Sequence, residues 1–82
     1  MNKKERQAEI IRRRNARLSI WSPGTFYVQY KLTELGGLYD RRFRQFVFPD
    51  QESLDKAKEL VDIGEKMYAK RVIRSYLEKC YN

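Results

Sequence analysis

The sequence contains no histidine, a single cysteine, two prolines and four glycines in 82 residues. Without imidazole it lacks the commonest general acid–base group and the commonest metal ligand. Cys80 stands alone, so an intramolecular disulfide is excluded, as is a structural zinc site built from cysteine and histidine. No glycine-rich phosphate loop is present. No apolar run approaches the ~20 residues that a membrane span needs. The basic N-terminus also lacks the apolar stretch of a secretory signal. These absences set the expectation of a non-enzymatic chain with no catalytic residue, no cofactor, no metal and no membrane partner. The expected compartment is the cytoplasm, or the host cytoplasm if the gene is viral. Carboxylates could still serve a magnesium-dependent nuclease, and Pro49-Asp50 followed by Glu65-Lys66 superficially matches such spacing. Asp50 is better explained as a helix cap, and Glu65 and Lys66 fall far along the helix it starts.

What the sequence does have is positive charge: 18 Lys and Arg against 11 Asp and Glu, a net +7. Such a balance favours polyanionic partners, because each phosphate neutralised releases condensed counterions. Its distribution is uneven. Lys3, Lys4, Arg6, Arg12, Arg13, Arg14 and Arg17 face only Glu5 and Glu9 in the first eighteen residues. Residues 50–65 are net acidic and residues 66–82 net basic again.

Residues 1–17 read as a basic helical arm. Helix formers dominate it, no Pro or Gly interrupts it, and its apolar stripe of Ala8, Ile11 and Leu18, with Ile10 off to the edge, is thin. Residues 18–82 read as one domain. Leu18 and Ile20 alternate with Ser19 and Trp21 in a short strand, and Ser22-Pro23-Gly24 is turn chemistry. Phe26, Val28, Tyr30 and Leu32 then alternate with Tyr27, Gln29 and Lys31. This predicts a second strand with the first set facing the core. Gly36-Gly37 marks a turn. A third strand is expected from about Tyr39 to Phe48, with a bulge near Gln45 to reconcile its impure alternation. Pro49 ends it, Asp50 caps, and a helix is expected from about residue 51 to 79. That helix carries two apolar stripes. Leu54, Ala57, Leu60, Val61, Gly64, Met67 and Tyr68 form one, with Gly64 permitting close approach to the sheet. Ala69, Ile73, Tyr76, Leu77 and Cys80 form the other, displaced by roughly 120–140° at 100° per residue. Either the helix breaks near residues 68–72, or its second half packs on another element, a second copy or a partner. The fold class is α+β, in the order helix, three antiparallel strands, helix.

Two basic groups are candidate nucleic-acid contacts. Arg41, Arg42 and Arg44 lie on a predicted strand interleaved with aromatics, beside Tyr27, Gln29 and Lys31 on its neighbour. Together they would form a basic sheet face able to read a groove. Arg12, Arg13, Arg14 and Arg17 on the arm suit bidentate phosphate contact. The bland readings are a solvated sheet face and a disordered tail. Phe26, Tyr30 and Phe43 read as core, and Trp21 as core or a sheet-edge anchor. Ile73, Tyr76, Leu77 and Cys80 are the candidate surface for a homodimer or a protein partner.

The run Phe26-Tyr27-Val28-Gln29-Tyr30, then Arg42 to Pro49 leading into the acidic helix start Asp50–Ala57, resembles one known pattern. It is that of the three-stranded-sheet-plus-helix DNA-binding domains of phage and transposon integrase arms and of ethylene-response factors. The resemblance covers about residues 17–68. It implies a sheet laid in the major groove, with Tyr27, Gln29, Lys31, Arg42 and Arg44 as contacts. With the N-terminal helix the order is also similar to that of double-stranded-RNA-binding domains, although Pro49-Asp50-Gln51-Glu52 is acidic where those are basic. The expected function is therefore nucleic-acid binding, with DNA favoured over RNA. The alternative is a small viral- or phage-type inhibitor or adaptor that binds a host protein or toxin, with or without RNA. A basic helix on an anionic membrane is disfavoured by the thin apolar stripe of residues 2–18.

Overall fold

The structure, a computed structural model, describes residues 1–81, and the side chains of residues 1–78. It is α+β, with an N-terminal helix, a three-stranded antiparallel sheet and a long C-terminal helix. A further helix stands where the second strand was expected. The elements are α1 (Lys3–Asn15), β1 (Ser19–Ile20), α2 (Thr25–Glu34), β2 (Leu38–Asp40), β3 (Gln45–Val47) and α3 (Gln51–Tyr81).

Helix α1 begins at Asn2, whose side chain accepts from the Glu5 N–H at 2.8 Å and donates to the Glu5 carboxylate at 3.1 Å. It ends in a turn with Arg17 in the left-handed region at φ 59°. There the Arg17 and Leu18 N–H groups return to the carbonyls of Arg14 and Arg13, each at 3.0 Å. This is the Schellman arrangement, with arginine where glycine is usual. Helix α2 ends in the same way. Gly36, at φ 85°, and Gly37 donate to Thr33 and Leu32, each at 3.0 Å. A side chain at Gly37 would strike the Leu32 carbonyl oxygen, so glycine is required there on space as well.

Residues 25–34 are helical because their buried positions are Thr25, Val28 and Leu32, with Leu35 half-buried just beyond, a helical spacing. Phe26 and Tyr30, expected in the core, are exposed instead. Val28 and Leu32 are four apart, a spacing common to a strand face and a helix face. The two aromatics made the pattern look like a strand. Residues 39–48 do not form one bulged strand but two short ones, β2 and β3, joined by a turn at Arg41–Arg44. The Arg42 N–H donates to the Asp40 carboxylate at 3.2 Å, and Arg44 takes φ 52°. The impure alternation therefore records a hairpin turn.

The sheet runs β1-β3-β2, with Ile20 and Tyr39 both opposite Phe46. Thus β1, α2 and β2 form a split β-α-β unit with β3 inserted between its strands. Phe46 and Phe48 point to one side of the sheet, into a core with Val28, Leu32, Leu54, Ala57 and Val61 from α2 and α3. Val47 points to the other side, where α1 covers it. Ile10, expected at the edge of the α1 stripe, is the buried apolar residue of that helix, while Ala8 and Ile11 are exposed. The sheet is thus the middle of three layers.

Helix α3 starts where expected. Asp50 accepts from the Ser53 N–H at 2.8 Å, which lowers the Asp50 carboxyl below its ordinary value. The helix does not break. Its first half buries Leu54, Ala57, Val61 and Gly64. Gly64 meets the start of α2 and not the sheet: a side chain there would collide with the Gly24 carbonyl. Beyond this crossing α3 projects from the body, which accounts for the molecule's 50 Å long axis. Residues 65–78 are all exposed.

Candidate nucleic-acid interface

Asp40, 2% exposed, organises the end of the sheet where α1 and the hairpin meet. Arg14 donates to both of its oxygens, Nε at 2.9 Å and Nη2 at 3.0 Å, and Gln45 donates at 3.2 Å. Burial alone would raise the Asp40 carboxyl. The hydrogen bonds from Arg14 and Gln45, the Arg14 charge and the Phe43 N–H outweigh it, and the net shift is downward. The Arg14 guanidinium lies over the Phe43 ring, 4.4 Å from its centroid, and the Arg42 guanidinium is 5.9 Å from the same ring. Asp40 and Phe43 therefore join the basic arm to the hairpin.

The arginines of the arm divide by partner. Arg13 is buried and structural. Its Nε binds Glu9 at 2.8 Å, and its Nη1 donates to the carbonyls of Gly36 at 2.8 Å and Val47 at 3.4 Å. It pins α1 to the end of α2 and to β3, so it is removed from any nucleic-acid surface. Arg12 is exposed but paired with Glu9 at 2.6 Å. Hydrogen bonds from Arg12 and Arg13, aided by their charges, pull the Glu9 carboxyl down to about 2. Arg14 is held by Asp40. By contrast Arg17, Arg41, Arg42 and Arg44 are exposed, and among the described residues none of them forms an ion pair.

The basic sheet face expected from Tyr27, Gln29, Lys31, Arg42 and Arg44 does not form. The first three lie on α2, and the two arginines lie in the hairpin turn. Tyr27 packs instead against Tyr68, with centroids 6.4 Å apart, and its hydroxyl lies 3.5 Å from Arg71 Nη1. Gln29 faces a cleft at the β2 edge, and Lys31 is exposed in the last turn of α2. On α3, Ile73, Tyr76 and Leu77 are exposed, and Cys80 lies outside the described side chains.

Phe43 is the residue that sequence reasoning misplaced most usefully. It is 51% exposed at the hairpin tip, not in the core. The signal was its neighbourhood: an aromatic flanked by Arg41, Arg42 and Arg44, just after a turn-forming Asp, suits a tip better than a strand interior. The tip offers three unpaired guanidiniums for phosphate oxygens and an aromatic ring beside them. Among the described residues no cluster of three metal-ligating side chains occurs, and no helix is long and apolar enough to cross a membrane. No protein-family model matches the chain, and neither a curated protein nor a solved structure matches it.

Proposed function

We propose that the protein binds nucleic acid without catalysing a reaction, through the Arg41–Arg44 hairpin tip together with the exposed basic residues of α1. One observation supports this above others. The arm and the hairpin, 26 residues apart in the chain, meet at the Arg14–Asp40 pair and around the Phe43 ring. The free arginines are thus held on a folded platform and not on a loose tail. Arginine forks suit phosphate contact, and such contacts set register on a strand without themselves reading sequence. DNA is favoured over RNA in this reading, and the cytoplasm is the compartment that accommodates it.

The test is binding to matched double-stranded DNA, single-stranded DNA and double-stranded RNA at two salt concentrations. Three phosphates neutralised by the tip would lower log K by roughly 2.7 per decade of salt on duplex DNA. Arg42→Ala/Arg44→Ala should abolish most of the binding and flatten that slope. If the wild-type protein binds none of the three at low salt, the proposal is wrong.

A second reading is favoured by α3. Tyr68, Val72, Ile73, Tyr76 and Leu77 are exposed on a helix that projects from the body. An apolar surface of this kind suits a homodimer or a protein partner. Hydrodynamic mass at micromolar concentration tests self-association, with Leu77→Asp as the variant expected to abolish it. A wild-type monomer would remove the homodimer and leave the partner.

A further inference from the structure

Phe26 and Tyr30, which alternation would bury, stand 65% and 76% exposed on α2. Phe26 also forms one wall of a cleft of about 420 Å³ beside the edge strand β2. Gln29 and Thr33 continue that wall, one and two turns along the same side of the helix. Tyr39 and the buried Phe46 line it from the sheet, and the exposed Arg6 lines it from α1. Tyr39 is fixed by an edge-to-face contact with Phe46, centroids 5.3 Å apart. The cleft is mainly apolar and concave, and falls in the size range of small-ligand sites.

The geometry points to this cleft as a subsite for one unpaired nucleobase of a bound strand. The inference rests on the nucleic-acid reading and names the class of strand. Phe26 from α2 and Tyr39 from β2 bring two aromatic rings to one cleft, and a base can stack on such a ring. The Gln29 amide carries donors and an acceptor, the groups that pair with a base edge. Arg6 makes no ion pair among the described residues, so its guanidinium is available for the attached phosphate. It lies two helical turns before Arg14, a rise of about 12 Å along α1. A strand held at the hairpin tip can therefore follow α1 to the cleft. A base within a duplex cannot enter, because its edge is already paired and its faces are stacked.

The experiment uses a twelve-nucleotide single-stranded DNA carrying one 2-aminopurine, and the duplex formed with its complement. Affinity and 2-aminopurine emission are both read. The wild-type protein is expected to prefer the single strand by tenfold or more and to change the emission. Phe26→Ala, a change at an exposed position, is expected to weaken single-strand binding roughly tenfold. It should also abolish the emission change and leave duplex binding intact. Arg6→Ala is expected to weaken the single strand alone, to a smaller extent. Unchanged single-strand affinity and emission in Phe26→Ala, with binding still lost in Arg42→Ala/Arg44→Ala, would overturn the cleft and leave the hairpin reading standing. Equal affinity of the wild-type protein for single strand and duplex would also overturn it. Absence of binding to either would overturn both.

Discussion

Val61 and Val72 are the same residue in the same unbroken helix, yet Val61 is 5% exposed and Val72 48%. The first half of α3 lies in the core beneath the sheet and α2. Among the described residues the second half meets Ser22, whose hydroxyl donates to the Glu65 carboxylate at 2.8 Å, and Tyr27, near Tyr68 and Arg71. The second half is the richer of the two in apolar side chains, so composition does not explain why it is the exposed one. What separates them is the crossing at Gly24 and Gly64, where α2 begins. Past that point residues 65–78 are all exposed. The second half is supported by helix-local pairs such as Lys66–Asp62 at 3.2 Å and Arg74–Glu78 at 3.5 Å. Pairs of that kind contribute only about 0.2–0.5 kcal/mol each. A buried apolar face thus reports packing and stability, while an exposed one in the same helix is free for a partner.

The contrast can be broken at its crossing point. Gly64→Ala places a methyl group against the Gly24 carbonyl, whose atoms belong to backbone and cannot rotate away. The expected loss is about 3 kcal/mol in urea unfolding. Comparison within the helix is sharper. Val61→Ala should cost about 2 kcal/mol, whereas Val72→Ala should stay within about 0.5 kcal/mol of wild type, because only the first removes a packed side chain. If both cost the same, the second half of α3 is covered in solution, and the concentration dependence of unfolding should reveal the copy that covers it.

Asp40→Asn addresses the junction of arm and hairpin, and is expected to cost about 2 kcal/mol at neutral pH. The carboxyl is held below its ordinary value in the folded state. Its contribution is therefore present above the unfolded value and lost as pH falls through the folded one. Wild-type stability should hold at neutral pH and decline as pH falls below the ordinary carboxylate range, with Glu9 protonating near pH 2. The gap between wild type and Asp40→Asn should close over that same range. A gap independent of pH would mean that the side-chain shape, and not its charge, holds the hairpin. The smallest effect concerns Arg17. Arg17→Gly relieves a left-handed backbone at φ 59° and should stabilise the protein by up to about 1 kcal/mol. The phosphate contact proposed for its guanidinium, measured separately by salt dependence, would be lost.

Several features were legible from local chemistry. Asp50 reads as a cap, Ser22-Pro23-Gly24 and Gly36-Gly37 read as turns, and the basic N-terminal segment reads as a helix. Each rests on contacts within a few residues. Gly64 was legible as a close approach, but the element it approaches lies forty residues earlier in the chain. Residues 26–32 were misread because alternation and helical periodicity share the four-residue spacing of Val28 and Leu32. The exposed aromatics Phe26 and Tyr30 occupied the positions that would have told them apart. At the candidate site, Arg41, Arg42 and Arg44 were legible as basic groups beside an aromatic. That Phe43 is a tip, that Arg13 is buried and that Arg14 belongs to Asp40 were not.

The amino-acid sequence by itself determined the net charge of +7, the absence of histidine chemistry, and an α+β chain with helices at both ends and strands between them. Tertiary structure decided that α2 is a helix, which arginines are consumed in holding the fold, and which half of α3 is left uncovered. The physical reason is the same in each case. Charge and capping act over one or two turns, whereas burial depends on which distant segment arrives to exclude water, and that segment is specified only by the packing of the whole.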